Sequence, residues 1–287
     1  MIETEPMMEA RPNQADSGLP SFGRPPVVET VLGVQFDIIP GFSNAHLGAF
    51  WKTHLPDWPS TTDAPPLEPQ FERFGEDRMW AKLNELAFKF TTAPTMRVQI
   101  RNAENSRMVQ LQNGRLHYNW IGEGSKYVRY DTLRPEFDDI FRKFSQFVAD
   151  EKLGVIRLNQ WEVTYVNHLR KGIDWKEPAD WNRLFHGLVQ LPPKLESVQL
   201  ESFGGEWHYE IPEKQGRLHV QLQHGRETVP PENEILILNL TARGPLSSDG
   251  DPREEFDNGL SIGHAVVVKS FAGLTSQDAR SIWEQQP

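Results

Sequence analysis

Val109-Gln110-Leu111-Gln112-Asn113-Gly114-Arg115 is answered further along the chain by Val220-Gln221-Leu222-Gln223-His224-Gly225-Arg226. Downstream of each copy, Glu136-Phe137-Asp138-Asp139 returns as Glu255-Phe256-Asp257-Asn258. Two matches in the same order, each leading into a helical pattern, point to a duplicated unit. Within the first copy, Asn113-Gly114 separates two alternating runs, 108–112 and 115–120. Both residues tolerate positive φ, so this spacing predicts a two-residue hairpin with a type I′ turn.

Working outward, each half has the same order of elements. A strand pattern over 27–39 stops at Pro40-Gly41, and Leu47, Phe50, Trp51 and His54 then fall on one helical face. The second half matches this with a strand at 156–169 and with Trp181, Leu184, Phe185 and Leu188, stopped by Pro192 and Pro193. Strands are expected at 97–101, 197–203, 206–211, 218–223 and 235–241. Each half then closes on a long apolar-striped helix. The first carries Phe137, Ile140, Phe141, Phe144, Phe147 and Val148; the second spans 254–271. Thr275-Ser276-Gln277-Asp278 predicts a capped short helix after that. The expected class is α+β: two similar halves, 25–154 and 155–287, each an antiparallel sheet packed on one face by helices, the two packed as one unit. Residues 1–24, acidic and rich in Pro, are expected as a disordered tail.

Alternation assigns the faces. Val109, Leu111, Leu116, Tyr118, Trp120, Val220 and Leu222 belong against the helices. The opposite face offers Arg97, Arg101, Gln110, Gln112, His117, Asn119, His219, Gln221 and Gln223, with few of the Lys and Glu that normally solvate an exposed sheet. Such neutral donors and acceptors suit an interface between the halves, a surface for a partner or ligand, or a solvated face. These nine residues are the candidate binding face.

Composition excludes several chemistries. The 287 residues hold no cysteine, which removes disulfides, thiolate catalysis and cysteine-bound zinc or iron-sulfur centres. A net charge of -10, from 30 Lys and Arg against 40 Asp and Glu, disfavours nucleic acid as a partner. The opening residues lack the pattern of a secretory signal and no apolar run reaches membrane-spanning length, so a cytoplasmic protein is expected.

No catalytic set is found. Gly259-Leu260-Ser261-Ile262-Gly263 matches a nucleophile elbow in letters but lies inside a helical stripe, where small residues permit close packing. The nine histidines show no metal-ligand spacing, and no glycine-rich phosphate loop occurs, so no metal and no cofactor are expected. Asn167-His168, at a strand end, is read as a satisfied polar pair.

Pro25-Pro26-Val27-Val28-Glu29, the 109–120 hairpin with Tyr127 and Tyr130 after it, Tyr165-Val166-Asn167-His168, and Gly263-His264-Ala265 through Phe271 and Leu274-Thr275 to Trp283 together resemble a bacterial family known as "sporadically distributed protein". The resemblance covers nearly the whole chain past the tail. It implies a patchy spread among bacteria, of the kind shown by toxin-antitoxin and phage-defence modules, and it carries over no activity, cofactor or site residue. Two functions are therefore expected. The first is a non-catalytic protein-binding or regulatory role with a partner encoded nearby, homo-oligomerisation being left open. The alternative is a small-ligand-binding protein or hydrolase with a pocket between the halves, using His117, His219 and Arg101.

Overall fold

The computed structural model describes residues 18–75, 96–122, 127–190, 195–227, 232–246 and 250–286. Its fold is α+β. Nine antiparallel strands form one sheet around a central pair, β2 (Val27–Phe36) and β7 (Leu158–Arg170). In their register Thr30 faces Tyr165, Leu32 faces Val163 and Val34 faces Trp161. The halves thus join edge to edge through the β2–β7 ladder, and the polar faces of the two sheet halves do not pack against each other.

Outward from that seam the two sides follow the same order. On the first side lie β6 (Arg115–Ile121), β5 (Arg107–Gln112), β4 (Arg97–Arg101) and the edge strand β3 (Ser60–Ala64). On the second lie β10 (Glu234–Pro245), β9 (Gly216–Arg226) and β8 (Gly205–Ile211). The two copies of the repeated stretch therefore hold equal rank, β5 and β9 each being second from the seam.

Helices α1 (Asn44–His54), α2 (Tyr130–Asp150) and α4 (Pro252–Leu274) cover one face, with α4 over β7 and β10 and α2 against β6 and α1. The apolar residues assigned to this face are buried as their alternation requires. Phe256 of α4 packs between Phe137 and Phe141 of α2, with ring centroids 5.9 and 5.6 Å away. Gly259 and Gly263 form the notch that lets α4 down onto the sheet. A Cβ on either would stand 2.3 and 2.7 Å from the nearest atom of the Trp161 ring, respectively. The Ser261 hydroxyl donates to Asp257 O at 2.9 Å within the helix. None of the described helices is long and apolar enough to cross a membrane.

Four local expectations change. The 113–114 turn is not type I′, because of the two only Gly114 has positive φ, at +98°. Asn113 is used as a clamp instead: its side chain accepts from Ile39 N at 2.9 Å and donates to the carbonyls of Ile39 and Phe42, both at 3.1 Å, which pins the approach to α1. The helix expected around Trp181 is a single turn, α3 (Trp181–Leu184), since Phe185 turns extended and bridges to Thr275. Burial there followed the pattern while the conformation did not. No strand forms over 197–203, where Ser197 has φ +66° and Val198 and Leu200 are exposed. Finally, of the expected tail, residues 1–17 lie outside the described residues, but Ser21–Phe22 form strand β1, paired with β11 (Gln285–Gln286) beyond α5 (Gln277–Ile282). The prolines at 192 and 193 also lie outside the described residues.

Candidate functional site

The candidate face projects from the sheet side opposite the helices, and the chain itself crosses it. Residues 67–73 run over the strands from β5 toward β9. Gln112 accepts from Leu67 N and donates to Leu67 O, both at 2.8 Å. Arg115 reaches Glu68 O at 3.3 Å, Gln70 N donates to Gln35 at 2.9 Å, and Glu72 N donates to Gln160 at 3.2 Å. Glutamine suits this task because one side chain offers a donor and an acceptor to a passing backbone.

This strap ends in a buried ion cluster. The Glu72 carboxylate, its side chain only 3% exposed, takes an ion pair from Arg217, a hydrogen bond from His219 Nε2 at 2.7 Å and another from Arg243 Nε at 2.9 Å. Burial alone would raise its pKa, but the His219 hydrogen bond and the Arg243 charge overturn that and hold the group down at about 2. Arg243 also reaches Glu162 at 3.3 Å, and Glu162 stands 3.6 Å from His117 Nε2. Burial pushes His117 down to about 4 despite the opposing Glu162 charge. Burial would raise Glu162, whereas His117, Arg243 and Arg115 lower it; with His117 neutral, the guanidiniums carry that effect at neutral pH. Gly33 makes room for this contact, since a Cβ there would meet the His117 ring at 2.7 Å.

The nine predicted residues therefore divide. Gln112 and His219 hold the strap. Arg97, Gln110 and Asn119 form a chain: Arg97 donates to Gln110 at 2.8 Å, Gln110 to Asn119 at 3.1 Å, and Asn119 to Glu29 at 2.6 Å. His117 belongs to the ion cluster, Gln221 donates to Glu206 at 2.6 Å, and Gln223 is exposed. A pocket of His117, His219 and Arg101 does not exist. Arg101 on β4 and His219 on β9 stand six strands apart, roughly 29 Å at the usual strand spacing. Among the described residues no group of three or more His, Asp or Glu is placed to hold a metal.

A cavity of about 180 Å³ lies instead on the helix side, between the start of α2, strands β2, β7 and β10, the C-terminal half of α4, and the 19–25 segment. In its lining the His264 ring stacks in parallel on Tyr130, with centroids 4.0 Å apart and planes 3° apart. The Tyr165 hydroxyl and His264 Nδ1 share a hydrogen bond of 2.9 Å. Burial drives His264 down to about 4, against the opposing charge of Asp131. Beside them Asn167 is wholly buried. Its Nδ2 donates to Leu238 O at 3.0 Å and to Tyr165 O at 3.4 Å, while Oδ1 has no hydrogen-bond partner among the described residues. Arg129 and Asp131, both exposed, stand at the mouth, and Phe22, which stacks edge-on against Phe271 at 5.3 Å, helps to close it.

Asn167 and His168 are thus not a pair. They point to opposite faces, with His168 4.0 Å from Glu227 and Asn167 in the helix-facing register with Trp161, Val163, Tyr165 and Leu169. That register was a readable signal: one amide among inward-facing aromatic and aliphatic positions of a strand. His264 carries a similar mark, since it shares the inner stripe of α4 with Leu260, Val267 and Phe271. Comparison with family models, curated proteins and solved structures finds no match to this chain.

Proposed function

We propose that this chain is a non-catalytic small-ligand-binding protein whose site is the cavity around His264, between the two halves. The observation that carries the reading is the cavity itself, a space of about 180 Å³ lined by the Tyr130–His264 stacked pair and Tyr165 among apolar side chains. Binding fits better than proton-transfer chemistry, because a histidine neutral down to about pH 4 is a poor acid or base near neutrality. Some of the residues quoted for the family resemblance, among them Tyr130, Tyr165, Asn167 and His264, line this space, while the 109–120 hairpin does not. A regulatory role in a toxin-antitoxin or phage-defence setting, with a partner encoded nearby, rests on that resemblance and the acidic charge; the neutral face that suggested docking is partly occupied by residues 67–73.

The test is a screen of single-ring compounds by saturation-transfer NMR against the wild type and Val268→Trp, which fills the cavity from α4. Hits on the wild type that vanish in the variant support the reading. Hits indifferent to the variant, or no hits at all, overturn it.

A further inference from the structure

Resting on that reading, we infer that residues 18–24 are a latch on the cavity, hinged at Pro25-Pro26 and clasped by the far end of the chain, and that a small molecule enters and leaves by its release. The walls of the cavity are held very unequally. Strands β2, β7 and β10 belong to the nine-stranded ladder, and α2 and α4, of 21 and 23 residues, pack on it. The remaining wall is Leu19, Pro20, Ser21, Phe22 and Pro25.

That wall is fastened by a clasp of short reach. Strand β1 pairs with β11 over two residues, Gly23 N donates to Glu284 O at 2.9 Å, and Arg24 N donates to Trp283 O at 3.1 Å. The Arg24–Glu284 ion pair, at 3.7 Å, is largely exposed and so holds weakly. Phe22 adds its edge-on contact with Phe271. A two-stranded ribbon standing apart from a larger sheet is marginal in water. Glu284, whose carbonyl Gly23 uses, also sits at φ +55°, a conformation that costs a non-glycine residue energy, so opening the clasp lets it relax.

Both ends of the moving part are defined. Pro26 O accepts from His168 N at 2.9 Å where the chain enters β2, and the rings of Pro25 and Pro26 fix φ at two successive residues, so the latch ends at Arg24. The clasp partner is anchored. Trp283 is buried, donates from Nε1 to Asp174 at 2.9 Å, and packs its ring on Phe271 with centroids 5.1 Å apart. Release therefore moves β1 rather than β11, and it withdraws Phe22 from the cavity wall.

The chain has no cysteine, so Ser21→Cys combined with Gln286→Cys can lock the latch with a single disulfide. The two residues are directly opposed in the antiparallel pair, within the span that a disulfide bridges. Benzene, a probe suited to a cavity of this size, is titrated by NMR into the oxidised and reduced forms of that one variant. Oxidation is expected to slow benzene association by about tenfold or more, and reduction to restore it. Equal rates in the two forms overturn the latch and leave the cavity as a ligand site; binding to neither form overturns the reading beneath as well. Two measurements need no disulfide. Phe22→Ala is expected to speed benzene association by about threefold or more over the wild type. In the wild type, the Gly23 and Arg24 amides are expected to exchange with solvent about a hundredfold faster than the Leu32 amide of central strand β2. An unchanged association rate, or protection equal to that of Leu32, overturns the latch.

Discussion

The two faces of the sheet treat buried polarity in opposite ways. On the strap side, polar groups are numerous and most are answered: Gln112, Gln35, Gln160 and Arg115 each meet the crossing backbone, and Glu72 meets two guanidiniums and the His219 ring, while Arg97 Nε and Asn239 Oδ1 have no hydrogen-bond partner among the described residues. On the helix side polar groups are few, and two of the most deeply buried, Asn167 Oδ1 and Thr30 Oγ1, have no hydrogen-bond partner among the described residues. The difference teaches that abundance of polar side chains marked a surface which the chain covers with its own backbone, while the cavity lies on the face where polar groups are sparse.

Breaking the answered face should cost most. Glu72→Gln takes the Glu72 carboxylate from buried Arg217 and leaves Arg243 with Glu162 alone, and a loss of about 3–5 kcal/mol is expected in urea unfolding at pH 7. A loss below 1 kcal/mol would mean the cluster is solvated in solution. Because the folded pKa of Glu72 lies below its unfolded value, the stability it contributes is present above about pH 4.5 and is lost as pH falls toward about 2.

Acid should act earlier through one histidine on each face. His117 and His264 both have folded pKa values near 4, below the ordinary 6.5, so the unfolded chain binds protons first. Stability should therefore be full above pH 6.5 and fall between 6.5 and 4, by on the order of 3 kcal/mol per histidine. His264→Gln should remove about half of that slope in unfolding curves at pH 7.5, 6 and 5; an unchanged slope would show that His264 is already solvated.

A matched pair of smaller substitutions sharpens the contrast. Gln112→Leu strips the donor and acceptor that meet Leu67 and should cost roughly 2 kcal/mol. Asn167→Leu removes an unpartnered acceptor along with its carbonyl contacts and should change stability by less than about 1 kcal/mol. Equal costs by thermal or urea denaturation would erase the distinction between the faces.

Much of the architecture was legible because alternation is a local signal. Val109, Leu111, Leu116, Tyr118 and Trp120 declare the inward face of one hairpin, and Phe137 through Val148 declare the stripe of α2. The strap was not legible. Residues 65–74 carry three prolines and no periodicity, and what fixes them is side-chain bonding to strands as distant as Arg217 and Arg243. The single-turn α3 defeated periodicity for a related reason: Trp181, Leu184 and Phe185 are buried by tertiary packing whichever local conformation they adopt. The cavity was half legible. Asn167 and His264 sat in apolar registers, but only the fold brings β7, α4 and the start of α2 to one place.

The strap also makes the two sides of the seam mutually dependent. Glu72 belongs to the first half of the chain, while Arg217, His219 and Arg243 belong to the second. If the connection between α2 and β7 were severed, one fragment would carry a carboxylate suited to burial and the other Arg217 and Arg243 without Glu72, although with Glu162 beside Arg243. Neither should be soluble and folded by itself, yet mixing them should restore the native spectrum, making this chain a natural candidate for a split reporter reassembled by charge.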